Sequence, residues 1–256
     1  MDNQDKLSLL DSMKGHVGVY VENLVTGESF EYKANEEFLA ASVIKLPVFI
    51  CISKWAEEGR ADFCEKIQVK NEDKVPICGA LTLFTDEPFV DIRTLCNLMI
   101  SLSDNTATNI LIKRFGIPSY NEEFARLGLK GTKLNRLLFD SEASAMGLEN
   151  RIVLSEIAML LKKLYKEEFV CADVSRKIIE TLLSQQINHK IPGIIGDGTV
   201  PIAHKTGEDD FLSNDVGIVY SKQPFIICMA GHDTCVPDWE NLQRRLAYEF
   251  FLEYNK

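Results

Sequence analysis

No run of lysines and arginines occurs anywhere in this chain of 256 residues, and no aromatic residues interleave with basic ones as a stripe. With a formal net charge of -10 at pH 7, the chain lacks the cationic surface that neutralises phosphates, which excludes nucleic acid as a partner. No apolar segment approaches the roughly 20 residues needed to cross a bilayer, so no membrane role is expected. Residues 1–16 are acidic and have neither the basic start nor the unbroken apolar stretch of a secretory leader. A cytoplasmic address is therefore expected, or a secreted one if a leader has been trimmed away. Pairs of the C-x-x-C type are absent, and the seven cysteines are odd in number and sit mostly among apolar neighbours. Buried reduced thiols are expected, not a disulfide frame. His232, Asp233 and Cys235 are close in sequence, but three chelating types in one short segment arise often by chance, and no metal is expected. Internal repeats and low-complexity tracts are also missing.

What is present suits a protein with a sizeable core: 46% of residues are hydrophobic and 26% charged. His16 to Asn23 alternates apolar and polar residues, Thr26-Gly27 supplies a turn and Ser29 to Lys33 resumes the extended pattern, which reads as a β-hairpin. From Ser42 the period becomes helical, with Gly59 closing the run. Helices are expected at 91–102, 106–115, 119–127, 154–165 and 173–183, with Ser119 and Glu122 forming a capping box. Between 130 and 150 the period lapses into a long irregular segment. Short strands follow at 200–205, 214–220 and 225–230, then an amphipathic helix at 239–254. The order strands, helices, strands, helix implies an α/β (α+β) three-layer sandwich. Its antiparallel sheet is built from both chain ends and flanked by terminal helices, with an all-helical lobe inserted. The expected division is 1–45 with 190–256 for the sheet lobe and 46–189 for the helical lobe, one compact unit.

Three short motifs carry chemistry. Ser42-Val43-Ile44-Lys45 is an S-x-x-K that opens the first buried helix and puts a hydroxyl and an amine on one face. A serine hydroxyl needs a neighbouring base, and a lysine serves when burial and nearby charge lower its pKa. Ser103-Asp104-Asn105 lies between two helices, where a Ser-Asp pair alone would read as an N-cap. Lys205-Thr206-Gly207, preceded by His204, ends a strand. Each is common in isolation.

In this order and context the three form the motif set of the penicillin-recognising serine enzymes, and over nearly its full length the chain resembles class A β-lactamases. The resemblance implies that Ser42 is acylated, that Lys45 helps deprotonate it and that Ser103 relays a proton to the leaving nitrogen. It implies that Asn105 holds the substrate amide, that Lys205 and Thr206 bind its carboxylate beside Gly207, and that the backbone N–H groups of Ser42 and Glu208 form an oxyanion hole. No cofactor is required. The partner would be a small β-lactam or acyl-peptide substrate; nothing in the sequence bears on oligomeric state.

Two departures stand out. Class A enzymes carry a deacylating glutamate in the irregular loop, but anchoring on Leu134-Asn135-Arg136 puts Leu138 at that position. Asp140 and Glu142 are the candidates to replace it, the alternative being that they face solvent or brace the loop against Arg136. No arginine lies between Thr206 and Val236, so Lys205 is left to meet a substrate carboxylate alone. His204 is read as packing beneath the site, and His16, His189 and His232 as ordinary residues. The expected function is β-lactam opening through an acyl-enzyme, slow because the glutamate is missing. The alternatives are a D-alanyl peptide or ester hydrolase, and a penicillin-binding or sensing protein without turnover.

Overall fold

The structure, a computed structural model, describes residues 1–256 apart from Ile77 and Asp197. Its elements in chain order begin with α1 (Asn3–Ser12), β1 (His16–Asn23), β2 (Ser29–Tyr32), β3 (Glu37–Leu39), a 3-10 turn (Ala41–Ile44) and α2 (Lys45–Glu57). Next come β4 (Lys66–Gln68), β5 (Phe89–Asp91), α3 (Ile92–Ser101), α4 (Asn105–Phe115), α5 (Ile117–Leu127), α6 (Ser141–Ala145), β6 (Arg151–Val153), α7 (Leu154–Tyr165) and α8 (Ala172–Leu183). The chain closes with α9 (Pro192–Ile195), β7 (Ile202–Asp209), β8 (Leu212–Val219), β9 (Phe225–His232) and α10 (Val236–Tyr254).

Five strands make one antiparallel sheet in the order β2-β1-β9-β8-β7. The two chain ends meet where β1 pairs β9, from His16 opposite His232 to Asn23 opposite Phe225. Along β9 the two-residue period sends Phe225, Ile227 and Met229 to one core and Ile226, Cys228 and Ala230 to the other. The first core includes Leu10 of α1 and Trp239, Leu246 and Phe250 of α10, and the second is shared with the helices of the middle of the chain. A strand covered on both faces is apolar throughout, which is why these runs read as continuous rather than alternating. Three layers result, as expected.

α2 is buried from Lys45 to Ser53 and again at Trp55, a helix enclosed by its neighbours. Pro47 is accommodated because the first turn of a helix has no intrahelical use for its N–H. Several local expectations need correction. Residues 3–12, read only for their acidity, form α1, opened by a capping box between Asp2 and Asp5. The Ser119–Glu122 capping box does not form: α5 begins at Ile117 with Pro118 in its first turn, and Gly116 precedes it without a side-chain cap. Proline preset to the helical φ starts the helix earlier than the serine would. The segment 130–150 is not wholly irregular, since α6 lies within it. Of the cysteines, only Cys51, Cys96 and Cys228 are buried; Cys64, Cys78 and Cys235 are exposed, and all seven are free.

Candidate active site

Ser42 is half-buried in the 3-10 turn and not in the first turn of the α-helix, as the periodicity had suggested. At about three residues per turn, Ser42 and Lys45 stack on one face. The sheet holds this turn in place. Asn214 on β8 donates from Nδ2 to Leu39 O at 2.9 Å and to Ala40 O at 3.1 Å, while its Oδ1 accepts from Gly231 N–H at 3.0 Å. Ala41 then turns the chain with φ +40°, a left-handed value that a β-carbon disfavours. A β-carbon on Gly207 would stand 3.1 Å from Ala40 O, Ser42 N and Val43 N, so glycine lets β7 lie against the amide of Ser42 without pushing backbone aside.

The side chain of Lys45 is fully buried, and its Nζ donates to Ser103 O at 2.7 Å, Ser103 Oγ at 3.0 Å and Asn105 Oδ1 at 2.7 Å. Lys205, also fully buried, donates to the same Ser103 Oγ at 3.1 Å and to Thr206 O at 2.8 Å. One hydroxyl thus stands between two amines. Burial first, then the like charge of Lys205, pushes the Lys45 amine well below its ordinary range. Burial, then the charge of Lys190, lowers Lys205 to about 7. Ser103 is held at φ +54° because α3 ends before it and Asp104 caps α4 after it, which aims its side chain between the lysines.

Asp104 is the brace beneath this arrangement. Its Oδ1 accepts from Ala107 N–H at 2.9 Å, and its Oδ2 accepts from Ala80 and Leu81 N–H at 2.7 and 2.9 Å. Asp104→Ala is expected to leave buried N–H groups unpaired and to cost about 3 kcal/mol, a drop of roughly 6–12 °C in Tm by calorimetry. A Tm within a degree of wild type would show that the 80–81 segment is held by other means.

At the K-T-G strand, Thr206 and Gly207 are buried, while Glu208 is half-exposed and paired with Lys190 at 3.0 Å. Lys190 stands behind this strand. It is fully buried and donates to Gly207 O at 3.2 Å and Asn214 O at 3.0 Å. As a lone lysine before Ile191-Pro192 it carried no sequence signal. Cys78 was missed for the same reason: it is exposed, and its carbonyl accepts from Asn105 N–H at 3.4 Å. His204 is buried, bonded at 3.0 Å to Asp215 and at 3.1 Å to Asn188, and so is occupied in packing the strand.

The 130–150 loop is pinned at its middle, where Leu138 N–H donates to Asn109 Oδ1 at 2.8 Å and Leu138 O accepts from Asn109 Nδ2 at 2.9 Å. Arg136 pairs with Glu149 at 2.7 Å rather than with either candidate acid. The carboxylate of Asp140 caps α6 by accepting from Ala143 N–H at 3.0 Å, and Glu142 is exposed on that helix.

A model of the β-lactamase enzyme family matches residues 4–247. The CARB-3 β-lactamase of Pseudomonas aeruginosa is 25% identical over 233 residues, spanning 88% of this chain and 79% of its own length. Among solved structures, PBP-A superposes with a TM-score of 0.89 at 26% identity, covering 98% of this chain and 95% of PBP-A. A leucine-to-glutamate variant of PBP-A has been solved as its acyl-enzyme complex with penicillin G. The β-lactamase of Sphaerobacter thermophilus shares the fold, with a TM-score of 0.89 at 23% identity over 99% of this chain and 98% of that one. With the family model spanning nearly the whole chain, this protein belongs to the β-lactamase enzyme family and is a serine β-lactamase-type hydrolase.

Proposed function

We propose that the protein opens β-lactam rings by acylating Ser42 and releases the product slowly. The observation that carries this reading is the sharing of Ser103 Oγ between Lys45 and Lys205, at 3.0 and 3.1 Å. Lys45, its amine favoured neutral by burial, takes the proton of Ser42 as Oγ attacks the ring carbonyl. The carbonyl oxygen draws on the N–H groups of Ser42 and Glu208. When the ring C–N bond breaks, the nitrogen takes its proton from Ser103, which is resupplied by the protonated Lys45. Asn105 holds the substrate amide, and Lys205, Thr206 and Lys190 make the region attractive to a carboxylate. With Leu138 at the position of the deacylating base, the ester persists. This same feature favours a second reading, a D-alanyl peptide or ester hydrolase with β-lactams as slow pseudo-substrates.

Intact-protein mass spectrometry over time after mixing with a penicillin tests the proposal. An adduct of penicillin mass is expected to form and to clear slowly, and to be absent in Ser42→Ala. No adduct on wild-type protein would sink it; an adduct that never clears would leave a penicillin-binding protein without turnover.

A pH dependence follows from the lysines. Lys205 must be charged to attract a carboxylate, and its value of about 7 lies far below that of a free lysine. The acylation rate constant per unit penicillin is therefore expected to fall by up to about tenfold per pH unit above that value. Lys205→Arg, whose guanidinium keeps its charge, should carry the fall to higher pH. A flat profile to pH 9 in wild-type protein would remove Lys205 from carboxylate binding.

A further inference from the structure

One residue beyond K-T-G, the structure gathers three side chains that the catalytic reading leaves unused. His189, in the segment before α9, directs Nε2 at two carboxylates, with Glu208 Oε1 of β7 at 3.3 Å and Glu240 Oε1 of α10 at 3.5 Å. One ligand atom from each of the three lies within 4.8 Å of the others. A tetrahedral zinc ion with bonds of about 2.0–2.2 Å needs donors about 3.3–3.6 Å apart along each edge, and both distances from the imidazole meet that requirement. The carboxylate of Glu240 is aimed by Ser213, whose Oγ donates to the same Oε1 at 3.0 Å, the kind of outer-shell bond that orients metal ligands.

Neighbouring cations do not consume the group. Lys190 touches Glu208 at 3.0 Å but also has two backbone carbonyls, Gly207 O and Asn214 O, as acceptors. Arg244 lies 3.7 Å from Glu240 and spends donors on His189 O at 3.1 Å and on Asn241. Each carboxylate keeps an oxygen directed at the imidazole, and His189 and Glu208, each 47% exposed, leave an entry path and a position for water as fourth ligand. Among the described residues, His232, Asp233 and Cys235 form no comparable group.

We propose that His189, Glu208 and Glu240 bind a divalent cation of the zinc type, against the expectation of no metal. Binding ties together β7, α10 and the segment before α9. It also places a dipositive charge on the residue whose backbone N–H faces the reacting carbonyl, and draws the Glu208 carboxylate away from Lys190.

The test is titration of the full chain with Co2+, followed by its visible spectrum, and with Zn2+ by calorimetry. Wild-type protein is compared with His189→Ala and Glu240→Gln. The expected result is one equivalent of ion in a tetrahedral nitrogen and oxygen environment, with affinity weakened more than about tenfold in both variants. Far-ultraviolet circular dichroism of the metal-free proteins checks that both variants fold; both positions are at the surface or near it. No bound ion in wild-type protein overturns the proposal. So does equal affinity in the three proteins, or a thiolate charge-transfer band, which would place the ion on the exposed cysteines.

Discussion

Leu138→Glu is expected to shorten the lifetime of the penicillin adduct by about 10²–10⁴-fold, the scale of a positioned general base. The reason lies in α4. Asn105 and Asn109 are four residues apart on it and share a face. Asn105 meets Lys45 at 2.7 Å, and Asn109 grips the backbone of Leu138 at 2.8 and 2.9 Å. The backbone of position 138 is thus fastened to the helix that carries Asn105, and a carboxylate there is expected to reach the ester without remodelling the loop. Neither native acid is so placed, since Asp140 is occupied as the cap of α6 and Glu142 faces solvent. Adduct lifetime by mass spectrometry, beside hydrolysis followed spectrophotometrically, decides the matter. An unchanged lifetime would mean that water is activated from elsewhere, and Asp140→Asn and Glu142→Gln would then be the variants to make.

Lys45→Met is expected to slow acylation by about 10²–10⁴-fold while the protein remains folded. Methionine matches the stem of lysine in length and suits a fully buried position. Its thioether leaves Ser103 O, Ser103 Oγ and Asn105 Oδ1 without the amine they now share, at about 1–3 kcal/mol for each acceptor left unpaired. Against that stands relief from burying an amine beside Lys205, so the net change in Tm is smaller than the sum. Rapid mixing with penicillin and quenching at intervals gives the rate. A near-normal rate would take the role of base from Lys45 and leave Lys205, acting through Ser103, as the group to test.

Much of the fold was legible because its signals are local or periodic: the β1–β2 hairpin, the helices of the middle segment and the three strands after residue 200. The motifs were legible for another reason, since S-x-x-K, S-D-N and K-T-G each pack several contacting residues into three or four positions. What escaped was what depends on distant parts of the chain meeting. Asn214 holds carbonyls about 175 residues earlier, and the burial of Lys190 is set by β7 and β8. Nothing in the composition around either residue marks it. The 3-10 geometry at Ser42 was read as α-helix because both periods put residues three apart on one side. The Ser119–Glu122 pattern failed because Pro118 acts one residue earlier and more strongly than a serine cap.

β7 is an edge of its sheet, and an edge presents unpaired backbone groups to any passing strand. From Ala203 to Gly207 it is buried under the helices and the 3-10 turn. An intruding chain would therefore have to begin at the exposed end of the strand, Glu208 and Asp209, and edge-to-edge association of two copies would bring the acidic ends of both strands together. On a chain of net charge -10 that repulsion adds to a general one. The acidic end of the strand is thus expected to oppose edge-to-edge pairing of two copies, and replacing Asp209 and Asp210 by asparagine is expected to increase self-association, read by light scattering, with every catalytic group intact.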